Sequence, residues 1–266
     1  MARRLSTGTG GGMSSTPDFA PLILIPCYNP GARIDTTVEA ASRSGLPVWI
    51  VDDGSDESTR RRLADLAQRF PQVTVLRHET NRGKGAAVLT GLQGARAQGF
   101  THALTLDADG QHPADRIDAF IGAAGDQTEA LILGRPVFSA DAPALRVQGR
   151  KVSNFWANLE TLWAGIGDSL FGMRVYPIDD LVAVMSETRW MRRFDFDPEA
   201  AVRLAWRGLP LVNMDAPVRY FDAESDGVSH FRYGRDNRLL IWMHLRLLAG
   251  FLRRLPRLIR RRWQDS

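Results

Sequence analysis

A single cysteine, Cys27, stands in 266 residues, so no disulfide can close within the chain, a composition that fits a reducing compartment. Long apolar runs are missing as well. No uncharged stretch approaches the roughly 20 residues that a membrane-crossing helix needs. No apolar segment of a secretory signal follows Arg3 and Arg4, and residues 1–18, polar and glycine-rich, read as a disordered leader. Lysine is almost absent: Lys84 and Lys151 are the two among 34 basic residues. What is present is ordinary globular material, 44% hydrophobic and 24% charged, ample for a core.

Charge is unevenly placed. Ten arginines against one acid between Arg232 and Arg262 put +9 on the C-terminal segment, which leaves −5 on the rest of a chain whose total is +4. A basic tail of this kind seeks an anionic partner, either nucleic acid or lipid head groups.

The periodicity is that of an α/β protein. Pro21–Tyr28, Val48–Val51, Gln72–Leu76, Thr101–Leu106 and Ala130–Gly134 read as short buried strands, and helical stretches lie between them. Asp56 or Ser55 is a fitting N-cap for the helix that runs through Phe70. Alternation at these lengths implies crossover connections and a mostly parallel sheet flanked by helices. After Arg150 the pattern weakens: helical material around 152–165, a turn-rich piece Gly167–Pro177, helices near Ile178–Met185 and Pro198–Arg207, then a strand near Leu211–Asn213. One domain over residues 19–238 is expected, with halves 19–136 and 137–238, followed by a basic tail 239–266.

The polar clusters fall at strand ends, where parallel sheets bind ligands. Asp107-Ala108-Asp109 follows the fourth strand. Two carboxylates one residue apart can share a hard cation such as Mg2+ or Mn2+, with Gln111 or His112 as a further ligand, and that cation neutralises a departing diphosphate. An isolated Asp-x-Asp is more often a solvated turn. Asp52-Asp53-Gly54-Ser55 ends the second strand, either as a turn with a helix cap or as a carboxylate for a nucleobase or ribose. Asn81-Arg82-Gly83-Lys84-Gly85 places two cations in a glycine-rich turn before a helix. It has neither Walker spacing nor the dinucleotide-binding spacing of glycines.

In their order, Ile25-Pro26-Cys27-Tyr28-Asn29, Val51-Asp52-Asp53-Gly54-Ser55, Asn81-Arg82-Gly83-Lys84-Gly85 and Leu106-Asp107-Ala108-Asp109-Gly110-Gln111-His112 resemble the nucleotide-binding half of family 2 glycosyltransferases. The likeness is greatest to the dolichol-phosphate mannose synthase and polyprenyl-phosphate glycosyltransferase branch. The resemblance implies a GT-A, Rossmann-like fold and inverting, metal-dependent transfer from a UDP- or GDP-linked sugar. It implies donor contacts at Pro26, Tyr28, Asn29, Asp53, Arg82, Lys84, Asp107, Ala108 and Asp109, with Asp107, Asp109 and Gln111 on the metal. Asp168–Pro177 and Phe194–Glu199 are similar to the branch's sugar and acceptor segments, which leaves Asp168, Asp197 and Glu199 as candidates for the carboxylate that deprotonates an acceptor. Gly227–Arg232 stands where relatives carry Gly-x-Ser-Lys. It places His230 and Arg232 at the diphosphate, with His230 a departure from the pattern. The Gln-x-x-Arg-Trp motif of processive synthases is absent, since Thr188-Arg189-Trp190 lacks the Gln.

The implied acceptor is polyprenyl phosphate or another lipid at the cytosolic membrane face. Ile241, Leu245, Leu248, Leu252, Leu255 and Ile259 step by four and three along one helical stripe, with Arg246, Arg253, Arg257 and Arg260 on the other side. Pro256 is expected to kink or end this helix. Such a helix either lies on an anionic membrane as a peripheral anchor or packs on the domain with solvated arginines. Its removal is expected to spare nucleotide binding. Trp156, Trp163 and Trp206 are expected to pack the C-terminal half. Two further readings stand beside the lipid acceptor: a soluble acceptor, or a sugar nucleotidyltransferase, which would carry a Gly-rich basic loop where Pro26–Asn29 stands. Nucleic-acid binding through the arginines leaves the strand-end carboxylates unexplained, so no nucleic-acid partner is expected. The sequence leaves the oligomeric state open.

Overall fold

The computed structural model describes residues 19–138, 144–218 and 233–264. The leader and the Gly227–Arg232 segment, with His230 and Arg232, lie outside them. The first half alternates as expected: β1 (Pro21–Cys27), α1 (Arg33–Ser42), β2 (Val48–Asp52), α2 (Glu57–Arg69), β3 (Val73–Arg77), α3 (Lys84–Ala97) and β4 (His102–Thr105). β1 pairs in parallel with β2 and β4, and β2 with β3. Asp56 caps α2 by accepting the Thr59 N–H at 2.8 Å, which satisfies a donor that the helix leaves orphaned. β1 is apolar at nearly every position because both its faces are covered. Leu22 and Leu24 enter one core cluster, while Ile23 and Ile25 enter the other.

The second half adds α4 (Ile117–Asp126), β5 (Leu131–Val137), α5 (Ala144–Leu159), β6 (Arg174–Pro177), α6 (Ile178–Ser186), α7 (Phe196–Arg207), β7 (Leu211–Pro217) and α8 (Tyr233–Gln264). All strands join one sheet in the order β3-β2-β1-β4-β6-β5-β7, and β6 runs antiparallel to β4 and β5. β6 forms at the end of the turn-rich piece Gly167–Pro177, where no strand was expected. Four residues are too few to show a period, and what makes them a strand is complete burial between two neighbours. α5 stops at Leu159 rather than near Gly165. Leu162 and Trp163 then take left-handed backbone conformations, with φ of 54° and 57°, and the Trp163 N–H closes the turn on the Asn158 carbonyl at 2.7 Å.

α8 has one face packed on the domain and another exposed. Met243, Leu247 and Phe251 are buried in the core cluster that also holds residues of α3, α6 and α7. Ile241, Leu245, Leu252 and Ile259 face outward, exposed. Pro256 does not end the helix, which continues to Gln264. Leu255 and Leu258 pack on the core on either side of it, and that packing outweighs the roughly 3 kcal/mol that an internal proline costs. Trp206 is buried and donates its indole N–H to the Glu160 carbonyl at 2.7 Å. Trp163, expected to pack, is 54% exposed.

Removal of the residues after Leu240 therefore does not leave an intact donor half. Burying Met243, Leu247 and Phe251 contributes about 1.5–3 kcal/mol each, a large share of the stability of an ordinary domain. The truncated chain should unfold at a far lower urea midpoint than the full chain, or fail to fold; an unchanged midpoint contradicts the packing described.

Candidate active site

Loops at the C-terminal ends of the parallel strands gather on one edge of the sheet. Beyond β1, the Asn29 N–H donates to Ser55 Oγ at 3.0 Å, and Asn29 Oδ1 accepts the Asp56 N–H at 2.9 Å. These bonds tie the β1 and β2 loops together. Asn29 holds φ 43°, a conformation that asparagine tolerates better than most side chains. Tyr28 stands beside it at the surface, and Pro26 is buried.

Asp53 is built into the protein rather than presented to solvent. Its Oδ1 accepts the Arg82 N–H at 2.9 Å and lies 2.7 Å from His78 Nδ1, while Oδ2 accepts the Gly83 N–H at 2.6 Å. It is 2% exposed. Both Asp53 oxygens shape the 81–85 loop, so the carboxylate expected at the base or ribose also holds the backbone that carries Arg82 and Lys84. Asp52 is similarly engaged, with the Ser55 N–H and Arg77. Arg82 itself is exposed at the rim.

That loop delivers Lys84, the first residue of α3, to the centre of the site. Its Nζ lies 2.6 Å from Asp107 Oδ1 and 2.7 Å from Asp197 Oδ2. Burial works to lower the Lys84 pKa, but the two carboxylates outweigh it and raise it. Burial likewise opposes ionisation of Asp107, and the Lys84 charge wins there too, lowering its pKa to about 2. Two glycines make room. A Cβ on Gly85 would stand 2.2 Å from the Met191 carbonyl oxygen, and one on Gly172 would stand 2.6 Å from Asp107 Oδ2 and 2.9 Å from Lys84 Nζ.

Around Asp107 the loop closes on itself. The Asp107 N–H donates to His112 Nδ1 at 3.0 Å. A backbone N–H can only donate, so Nδ1 is the acceptor and the ring proton is on Nε2, 3.4 Å from Asp107 Oδ2. Burial holds the His112 pKa down, in keeping with a neutral ring. Asp109 accepts the Gln111 N–H at 3.0 Å, and burial together with the Asp107 charge raises its pKa. Ala108 between them is buried.

The acceptor-side candidates separate cleanly. Asp197 is buried, gives one oxygen to Lys84 and leaves Oδ1 without a hydrogen-bond partner. Asp168 is buried under Arg150, 2.6 Å away, and accepts the Leu170 N–H at 2.9 Å. Glu199 is not brought to the cluster. It is fully buried against Arg203 at 2.7 Å and Arg246 at 2.9 Å, and so joins α7 to α8. Arg174 belongs to the Asp168–Pro177 stretch, similar to the family's sugar and acceptor segment, but was not among the expected site residues. Fully buried on β6, it donates to the Asp168 and Asp197 carbonyls and to the Tyr176 hydroxyl. It braces both acceptor-side segments from beneath.

Among the described residues no group of three His, Cys, Asp or Glu side chains is assembled for a metal. The donor set still fits a hard dication. Such ions are held by one or two carboxylates with substrate phosphates and water completing the shell, and Asp109 is a half-buried carboxylate whose ionisation desolvation and its neighbour Asp107 oppose. Gln111 and His112 border it, although His112 turns its N–H, not a lone pair, toward Asp107.

The sequence profile of glycosyl transferase family 2 matches residues 22–196. The chain is 28% identical to a UDP-N-acetylglucosamine–dolichyl-phosphate N-acetylglucosaminyltransferase of Methanococcus voltae, over 68% of this chain and 78% of the relative. It is 26% identical to an undecaprenyl-phosphate mannosyltransferase of Micrococcus luteus, over 76% and 84%. Among solved structures, glucosyl-3-phosphoglycerate synthase of Mycobacterium tuberculosis with uridine diphosphate superposes at a TM-score of 0.66, covering 92% of this chain and 87% of the other at 14% identity. The same enzyme with Mn2+, uridine diphosphate and glucosyl-3-phosphoglycerate gives a TM-score of 0.62 at 15% identity, covering 91% and 87%. These superpositions show the fold to be GT-A.

The Lys84 bridge carries a pH signature. The Asp107 pKa falls from 3.8 to about 2, so its ionised form stabilises the fold above about pH 4, and that contribution is lost as pH falls toward 2. In Lys84→Met the two carboxylates lose their common counter-ion. The variant should be less stable near pH 7 yet lose less stability between about pH 4 and pH 2. Urea midpoints across that range check this, and a wild-type acid slope in the variant contradicts it.

Proposed function

The chain belongs to glycosyl transferase family 2, and we propose that it moves one sugar, with inversion, from a UDP- or GDP-linked donor to a lipid-linked acceptor, polyprenyl phosphate by preference. The observation that carries this reading is the convergence of Lys84, Asp107 and Asp197 above the buried Arg174. A diphosphate leaving group gathers negative charge as its bond to the anomeric carbon breaks, and Lys84 and Arg82 are the cations that would meet it. Asp107 and Asp109 would hold Mg2+ or Mn2+, which supplies further neutralisation of the diphosphate when bound.

A phosphate acceptor arrives ionised, so its oxygen attacks without surrendering a proton and no strong base is required. Asp197 then orients Lys84. For a hydroxyl acceptor, Asp197 is the better base of the candidates, since its Oδ1 is unpartnered whereas both Asp168 oxygens are engaged, by Arg150, the Leu170 N–H and Asn154. Lipid rather than soluble acceptors are favoured by the curated relatives, whose names specify dolichyl and undecaprenyl phosphates. No described helix is long and apolar enough to cross a membrane. The outward stripe of α8, flanked by arginines, supports peripheral attachment at the cytosolic face. Absence of the Gln-x-x-Arg-Trp motif supports transfer of a single sugar.

Asp109→Asn tests the donor site. Titration calorimetry with UDP- and GDP-sugars and Mn2+ should show donor binding in the wild type, at least about tenfold weaker binding in the variant, and the same loss in wild type treated with EDTA. Donor affinity unchanged by both interventions would remove the metal from the mechanism.

A further inference from the structure

Beyond α8, a second helix bears outward apolar residues. We propose that α5, its C-terminal turn and α8 form one lipid-docking face, with Phe155 and Trp163 as aromatic anchors and an anionic bilayer as the occupant. This rests on the lipid-acceptor reading above and adds the surface that would face the acceptor's membrane.

Val152, Phe155 and Trp163 are each more than half exposed, as are Ile241, Leu245 and Leu252 on α8. The two sets are neighbours. His244 of α8 reaches Glu160 at 2.9 Å and Ser153 at 3.4 Å, and Arg262 donates to the Leu162 carbonyl. At about 100° per residue, His244 and Arg262 share one side of α8, and the exposed stripe borders that side. Arg246 projects roughly opposite, onto Glu199. On α5, Phe155 packs edge-on against Trp156 and Trp163, with ring centres 5.9 Å and 6.0 Å apart, and Trp156 lies 6.3 Å from the His244 ring. The aromatic row thus runs without a gap from Trp163 to α8.

Leu162 and Trp163 stand in consecutive left-handed backbone conformations, and Trp163 is exposed there; such conformations in bulky residues cluster at functional sites. Exposed Trp, Phe, Leu and Ile beside arginine are the composition of a membrane interface. Arg253, Arg257 and Arg260 are exposed on the far margin of the stripe, and Asp236, the one acid among the described residues of α8, is buried. A second copy would bring two arginine-flanked faces together, which like charge disfavours. Anionic lipid complements them. The inner side of α5 carries Arg150 and Asn154 against Asp168, so the same helix borders the reaction centre and the docking face.

The test is co-sedimentation of the full chain with vesicles of phosphatidylcholine and phosphatidylglycerol, against phosphatidylcholine alone, at low and high salt. The double variants Phe155→Ser/Trp163→Ser and Ile241→Ser/Leu245→Ser change surface residues, and unfolding midpoints like the wild type's verify their folds. Each should reduce binding to the mixed vesicles about tenfold or more, with salt weakening what remains. Donor hydrolysis without vesicles, run in parallel, should be equal in all three proteins. Vesicle binding with no hydrolysis in any protein overturns the catalytic reading and supports the docking face. Hydrolysis without vesicle binding overturns the docking face. Phe155→Ser/Trp163→Ser binding as the wild type does also overturns it, as does a wild-type dimer that these substitutions dissociate.

Discussion

The ammonium of Lys84, held between Asp107 and Asp197, is the interaction on which the rest of the site depends. Two carboxylates from the β4 loop and the start of α7 approach the same point, and without a shared cation their repulsion would reach several kcal/mol even at an effective dielectric of about 20. Everything nearby serves to put the cation there. Asp53 grips the backbone of residues 82 and 83, Gly85 lets the loop lie against the Met191 carbonyl, and Gly172 leaves the space that Lys84 fills. Arg174 supports both acceptor-side segments through their carbonyls rather than their carboxylates, so those carboxylates keep their charge for other partners.

Much of this was legible in the sequence because it is local. The strands of the first half, the Asp56 cap and the strand-end placement of Asp107 and Asp109 follow from short-range pattern and turn chemistry. What was not legible involves residues far apart in the chain. Asp53 and Asp107 both stand just past the end of a strand, yet one turns inward to hold a loop and the other faces Lys84, and nothing within a few positions of either distinguishes them. Asp197 and Glu199 are two residues apart at the start of α7. On a helix that spacing points side chains in nearly opposite directions, so one meets Lys84 of α3 and the other meets Arg246 of α8. β6 escaped notice for the same reason: its four residues become a strand only once β4 and β5 flank them.

α8 is at once a core element and a surface. Arg246 lies 4.2 Å over the Trp190 ring and makes a two-pronged bond to Glu199, while the Arg192 carbonyl accepts the Ala86 N–H at 3.1 Å. The segment 190–199 is therefore clasped by α8 on one side and by the start of α3 on the other. The helix that presents the outward stripe and the loop that positions Lys84 are separated by one short stretch of chain.

The scarcity of lysine has a practical consequence. Of the two side-chain amines, Lys84 is locked between carboxylates, protonated and shielded, and hence a poor nucleophile. Lys151 is exposed on α5, on the same outward side as Phe155. An amine-reactive fluorophore should therefore bypass the reaction centre and settle on Lys151 and the terminal amine. A dye at Lys151 would sit at the border of the aromatic row, where its emission colour reports whether that border is wet or dry.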